Sequence, residues 1–351
     1  SHLARLGHHW PVSSSASTPF DRVKTAYRLA RLDPPTLRRG DVAARTGVAP
    51  EQSVRWWRAL GFAAVDDDEI AFRDADVEVV RELGAMVDAG LVDDDDVLRL
   101  ARLMSSLFSR LVDAQLDVLE LGTGADDEAG IDVGQRLSEL AESDVDIFSF
   151  MESTMAYVWR RHLLGAIGHR LSLDQTEQGQ AVAFADLSRF ARFTKRATAE
   201  EIARVIDTFE AVAFDVVSTH GGRVVKLIGD EVLFVVDDLD RAITAGLELI
   251  DRLSEFEEMP PVHCGVAFGP TITVGGDVFG PTVNLASRLT KVARPGSIAV
   301  PRKGNESLLD RDDLDVRKVR RTYDLKGIGR TSILAVRTLS DVAADQESQR
   351  D

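Results

Sequence analysis

Arg223-Val224-Val225-Lys226-Leu227-Ile228-Gly229-Asp230-Glu231-Val232-Leu233-Phe234-Val235-Val236 is the stretch that decides the fold of this chain. Two apolar, β-branched runs meet at Gly229-Asp230, which reads as two strands joined at a tight turn. The turn holds a carboxylate at the tip of a hairpin. Upstream, Ala181-Val182-Ala183-Phe184-Ala185 is another short apolar run, and it ends in Asp186. Two carboxylates that close β runs can converge on one sheet edge. Mg²⁺ is commonly held by one or two carboxylates plus substrate phosphates, so such an edge suits hard cations. A solvated turn aspartate is the plain alternative for either residue taken alone.

Working outward, helical patterns are expected near residues 199–217 and 240–256, with further strands around Val262 and Val274. Strand, helix, two strands, helix, strand is the order of a ferredoxin-like α+β unit. Before it, from Pro19 to about Arg170, apolar spacing is helical, and a glycine-rich loop at Gly122 to Gly134 interrupts it. The expected organisation is a tail at residues 1–18, a helical regulatory domain at 19–144, a helical linker at 145–179, a catalytic domain at 180–340 and a tail at 341–351.

With 351 residues, 44% of them hydrophobic, the chain has apolar material for two cores. Its 58 acidic against 42 basic residues give a formal charge of -16, a field that repels phosphate backbones and anionic lipid. Any phosphate site must therefore be built locally. The single cysteine, Cys264, excludes an internal disulfide and a multi-thiolate zinc site and fits a reducing, cytoplasmic setting. No run approaches the ~20 apolar residues of a membrane span, so a soluble protein is expected.

Asp277-Val278-Phe279-Gly280 is followed by Val283-Asn284-Leu285-Ala286-Ser287-Arg288. In order with the Asp186 and Gly229-Asp230 motifs, this resembles the class III nucleotide cyclases over about residues 181–338. The resemblance implies conversion of ATP to 3′,5′-cyclic AMP and pyrophosphate with two divalent cations, Mg²⁺ or Mn²⁺. It makes Asp186 and Asp230 the metal ligands, Lys226 and Asp277 the pair that reads adenine, and Asn284 and Arg288 the transition-state pair. A lysine only donates and an ionised aspartate only accepts, which matches an acceptor ring nitrogen and a donor amine; guanine presents the reverse. Asn284 and Arg288 lie four apart, hence on one helix face. Phe190 and Lys326, the latter in Leu325-Lys326-Gly327-Ile328-Gly329, are the implied phosphate contacts. The family builds each site across a homodimer, which places Asp186 and Asp230 of one chain opposite the other four residues of its partner.

One departure stands out. Where the family has Gly-Phe-Thr after the first aspartate, this chain has Arg189-Phe190-Ala191. Arginine either adds a phosphate contact or hinders the turn, because it adopts positive φ less readily than glycine. Two competing readings follow: a nucleotide-binding sensor without turnover, and a transcription regulator.

The regulator reading comes from residues 41–62, whose helix-turn-helix pattern resembles MerR-type winged helices, with a wing at Asp66 to Phe72 and a helix at Asp74 to Ala89. Yet residues 41–100 carry six arginines, no lysine and fifteen acids, so no nucleic-acid partner is expected. The resemblance to mycobacterial-type cyclases with a pH-responsive helical domain implies regulation instead, by protons or a small molecule. Residues 145–173, with Phe148, Phe150, Met151, Met155, Trp159, Leu163 and Ile167, read as an amphipathic linker. It also holds His162 and His169, candidate switches because the histidine reference pKa is about 6.5.

Overall fold

A computed structural model of the chain describes residues 30–121, 146–172 and 179–339, with Tyr27, Arg28 and Glu139. The two expected tails, the Gly122 to Gly134 loop, the boundary near Gln175 and the side chain of His169 lie outside the described residues. Two compact units divide between residues 173 and 174. Among the described residues no helix is long and apolar enough to cross a membrane.

In the first unit, α1 (Arg39–Thr46) and α2 (Pro50–Ala59) follow one another across a short turn. The turn is dictated locally. Gly47 takes φ 74° and its N–H reaches the Ala43 carbonyl at 2.9 Å, which ends α1, and Pro50 opens α2. After them come α3 (Asp74–Asp88), α4 (Asp94–Leu121) and α5 (Ile147–Ser172). Trp56 and Ala59 pack on Val97, Leu98 and Ala101 of α4, while Leu37, Val42, Phe72 and Val77 form a second small core.

Two expectations fail here. Residues 66–72, read as the wing, form no strand: Glu69 N donates to the Asp66 carbonyl at 3.1 Å across a turn, and Phe72 meets Leu37 in a single β-bridge. Four consecutive charged residues supply no apolar alternation for a strand. Nor is α5 amphipathic. Ile147, Phe148, Met151 and Met155 are half-buried, but Phe150, Tyr157, Trp159, Leu164 and Ile167 are exposed, so apolar side chains occur all round the helix.

The second unit runs β1 (Gln180–Leu187), α6 (Phe190–Phe193), α7 (Ala199–Thr219), β2 (Arg223–Ile228), β3 (Glu231–Val236), α8 (Leu239–Ser254) and β4 (Val262–Gly269). It continues with β5 (Ile272–Val274), β6 (Asp277–Phe279), α9 (Pro281–Thr290), β7 (Ser297–Pro301), β8 (Leu314–Lys318), β9 (Tyr323–Leu325), β10 (Gly329–Thr331) and β11 (Ile333–Thr338). Seven strands make one sheet in the order β2-β3-β1-β4-β7-β11-β8. Its first four follow the expected ferredoxin-like order.

Burial on both faces explains the unbroken apolar run of β1. Ala181, Ala183, Ala185 and Leu187 face the core built with α7 and α8, and Val182 and Phe184 face the one built with α9. Thr198 and Glu201 cap α7 reciprocally, with Glu201 N to Thr198 Oγ1 at 3.2 Å and Thr198 N to Glu201 Oε2 at 2.7 Å. Close approach of α9 depends on Gly265 of β4, where an added Cβ would lie 2.1 Å from Thr290 N and 2.5 Å from Ala286 O. That glycine sets how near the helix carrying Asn284 and Arg288 lies to the sheet.

Candidate active site

Strand pairing brings the carboxylates together. Asp186, last but one in β1, stands opposite Glu231 of β3 on one side and His263 of β4 on the other. Leu187 N donates to the Asp230 carbonyl at 3.1 Å, so the Gly229-Asp230 turn sits against the end of β1. Gly229 adopts φ 66°, the left-handed conformation this two-residue turn requires.

Burial and the charge of Asp230 push the Asp186 carboxyl up to about 6, with Lys291 opposing. Glu231 is pushed up to about 7, first by burial and then by Asp186, with Lys291 again opposing. Crowded carboxylates of raised pKa form an electrostatic sink that a divalent cation relieves, so this donor set fits a hard metal ion. Among the described residues no group of three or more His, Cys, Asp or Glu could hold an ion alone. Water or phosphate oxygens would complete the coordination.

Three neighbours were not singled out from the sequence. His263 Nε2 lies 3.4 Å from Asp186 Oδ2, and His263 Nδ1 is 2.7 Å from Ser188 Oγ. Burial holds the imidazole below its usual pKa, against the pull of Asp230. A neutral imidazole protonated on Nε2 presents that proton to Asp186 and leaves Nδ1 to accept from the Ser188 hydroxyl. Ser188 is itself buried, and its N–H donates to the Pro261 carbonyl at 2.8 Å. Glu231 is the third, visible in the sequence only as the residue after Asp230.

The second pair lies on the same hairpin and its neighbour. Lys226 Nζ of β2 is 2.5 Å from Asp277 Oδ2 of β6, and Asp277 Oδ1 accepts from Val278 N at 2.8 Å. Arg223 Nη1 donates to the Gly276 carbonyl at 3.0 Å, tying the β5–β6 turn to β2. Asn284 and Arg288 share one face of α9, the first exposed and the second half-buried.

The remaining candidates disperse. Lys326 is exposed between β9 and β10. The Phe190 ring packs toward the core and stacks on Phe193 with ring centres 5.8 Å apart, so any phosphate contact falls to its backbone. Arg189 takes φ 64° and ψ 25°, adopting the conformation that glycine would adopt more readily. In the first unit, His162 is exposed on α5.

Comparison with known proteins gives a family. Residues 174–337 match the family described as adenylate and guanylate cyclase catalytic domain. The chain is 37% identical over 275 residues to a protein named adenylate cyclase from Streptomyces coelicolor, covering 76% of this chain and 70% of that one. It is 37% identical over 266 residues to another of that name from Streptomyces griseus, covering 74% and 65%. To a protein named pH-sensitive adenylate cyclase from Mycobacterium tuberculosis it is 29% identical over 285 residues, covering 78% and 70%. Each alignment is longer than the family match and so extends into the first unit.

Proposed function

This chain belongs to the adenylate and guanylate cyclase catalytic domain family, and on that premise we propose that it converts ATP to 3′,5′-cyclic AMP and pyrophosphate as a homodimer. The observation that carries the choice of ATP is the Lys226–Asp277 pair: the ammonium donates to the ring nitrogen of adenine and the carboxylate accepts from its amine. In this reading Asp186 and Asp230 hold two divalent cations, Mg²⁺ or Mn²⁺. When bound, these supply charge neutralisation at the phosphates and a more acidic 3′-hydroxyl. Ser188 and His263 hold the Asp186 carboxylate in place. Asn284 orients the ribose, and the Arg288 guanidinium meets the charge that grows at the α-phosphorus as the 3′-oxygen attacks in line. Lys326 and the Phe190 backbone contact the phosphates.

Asp186 and Asp230 of one chain act with Lys226, Asp277, Asn284 and Arg288 of the other. Asp186→Ala and Lys226→Ala should therefore each be inactive alone. Mixed, they should recover roughly a quarter of the wild-type rate of cyclic AMP formation, since half the dimers are mixed and each has one intact site. A mixture that stays inactive after verified subunit exchange removes the shared-site reading.

The first unit is read as a regulator. Its support is the alignment of cyclase relatives beyond the catalytic segment, one of them named pH-sensitive. A nucleic-acid role is disfavoured because Arg45, Arg55, Arg73 and Arg99 are already in ion pairs with aspartates. Cyclic AMP formation should rise as pH falls from about 8 to 6, through His162 and His169. A chain beginning near Gln175, or a His162→Asn/His169→Asn variant, should lose that response, and parallel profiles in all three would overturn the histidine assignment. The Arg189 turn favours one second reading, nucleotide binding without turnover, which absence of cyclic AMP at saturating Mn²⁺ would establish.

A further inference from the structure

Lys226 and Asp277 belong to different sheets: β2 is an edge strand of the seven-stranded sheet, whereas β5 and β6 form a two-stranded ribbon of their own. The ribbon turns on Gly275 and Gly276, which take φ 59° and 82°, the left-handed pair of a two-residue hairpin turn. Packing does not hold that turn. An added Cβ at either glycine would meet nothing within 4 Å, and Ile272 and Val274 are exposed. The base of the ribbon is fixed, since Val278 is buried and Thr282 Oγ1 donates to the Pro270 carbonyl at 2.8 Å. Asp277 stands between the anchored Val278 and the open turn.

Two cations of β2 reach this tip, and a bulge lets them do so together. Arg223 Nη1 donates to the Gly276 carbonyl at 3.0 Å, and Lys226 Nζ to Asp277 Oδ2 at 2.5 Å. Residues three apart on an unbroken strand point to opposite faces. On β2 the pairing passes from Val224 opposite Phe234 to Lys226 opposite Leu233, so Val225 is an extra residue. Packing follows the same shift: Val224 and Leu227, also three apart, both join the core built with α7 and α8, whereas Val225 joins the one built with α9. Arg223 and Lys226 are thereby left on one side of β2, where they grip adjacent residues of the ribbon. Bulges commonly re-aim side chains in this way beside active sites.

We propose that Arg223 is a positioning residue for base selection, holding the β5–β6 turn so that Asp277 keeps its place beside Lys226 when a base arrives. This rests on the adenine reading of that pair. As adenine binds, Lys226 turns an N–H toward the ring nitrogen and the Asp277 carboxylate accepts from the amine, so the bond between the two loosens when its geometry matters most. The Arg223 bond uses neither group and persists. Guanine is rejected by a carboxylate held against its carbonyl oxygen, which sets two acceptors face to face. With the turn released, Asp277 withdraws, and the Lys226 ammonium alone donates to that oxygen as readily as to the adenine ring nitrogen.

The test compares Arg223→Met, which removes the donors, with Arg223→Lys, which keeps a donor and the charge, in the full chain with Mn²⁺. Arg223 is exposed, so neither change opens a cavity. Affinity is measured for 3′-deoxy-ATP and 3′-deoxy-GTP, which lack the attacking hydroxyl, and kcat/KM for ATP and GTP. Arg223→Met should lower the preference for adenine about tenfold in both measurements, and Arg223→Lys should restore most of it. Hydrogen exchange, which needs no nucleotide, should quicken in residues 272–279 of Arg223→Met and stay unchanged in β1 and β3. Equal weakening of both nucleotides would give Arg223 a general electrostatic or structural role and overturn the proposal, as would unchanged exchange in the ribbon. The two readings fail differently. A wild-type preference for adenine that survives Arg223→Met removes only the positioning role, whereas a wild-type chain that binds both nucleotides equally has no adenine-reading pair, and the proposal falls with it.

Discussion

The two units bury their apolar residues to very different degrees. In the second, both sheet faces are covered, and Phe209, Phe234, Leu249, Leu289, Ile298 and Leu334 are fully buried. In the first, Trp56 is the only one of the largest fully buried side chains among the described residues, and the long helices leave Leu107, Phe108, Val118, Phe150, Trp159 and Leu164 exposed. A unit with a complete core can hold charged groups at its edge in strained or desolvated states, as at Asp186, Glu231 and Arg189. One with small cores and exposed apolar side chains along its long helices lacks that reserve, and its exposed surface suits contacts that change. The carboxylate edge belongs to the well-packed unit.

The sharpest way to break this contrast is to remove the anchor of the weaker core. Trp56 is 2% exposed and its Nε1 donates to Asp94 Oδ1 at 2.7 Å. Trp56→Ala should cost about 3–5 kcal/mol and melt the first unit well before the second. Scanning calorimetry should show two transitions, only the lower one displaced. A single transition displaced as a whole would mean that the units fold as one body and the contrast fails.

A smaller effect is expected inside the well-packed unit. Gly265→Ala forces α9 away from β4, since its Cβ would meet Thr290 N and Ala286 O. Overpacking of this kind costs about 1–3 kcal/mol. The same displacement moves Asn284 and Arg288, so turnover should fall about tenfold or more, because misplacement by ~1 Å can cost about 100-fold. Cyclic AMP assays and melting should shift together; unaltered turnover would show that α9 does not position these residues.

The smallest expected effect is electrostatic. Glu231 titrates near 7 in the folded chain, above its reference value of 4.5. A carboxyl raised by folding favours the folded state below its unfolded pKa, and that advantage is lost as pH rises through the folded value. In EDTA, the second unit should therefore lose stability between about pH 5 and 8, with Asp186, raised to about 6, contributing in the same direction. Glu231→Gln should recover roughly 1 kcal/mol at pH 8, allowing for partial exposure, or about 3 °C in melting temperature. An identical slope of melting temperature against pH in the variant would show that burial at this edge is not felt.

Local pattern alone was enough for much of the catalytic unit. Alternating apolar runs, a Gly-Asp turn and helical spacing identified β1 to β4 with α7 and α8, because each is set by neighbouring residues. The same pattern placed Asp186 and Asp230 at strand ends, while the roles of Lys226, Asp277, Asn284 and Arg288 came from family resemblance. What the sequence did not contain was register and packing. His263 meets Asp186 only because β1 and β4 pair as they do, and Ser188 fixes that imidazole only because the chain turns there. Glu231 with its raised pKa depends on distant neighbours that a residue-by-residue reading cannot weigh. The apolar residues of α5 likewise form no single stripe, because Tyr157, Val158 and Leu164 fill the remaining sides of the helix. Sequence spacing determines which residues share a strand or helix face; desolvation, charge crowding and strain arise from contacts between segments far apart in the chain, and those only the tertiary structure decided.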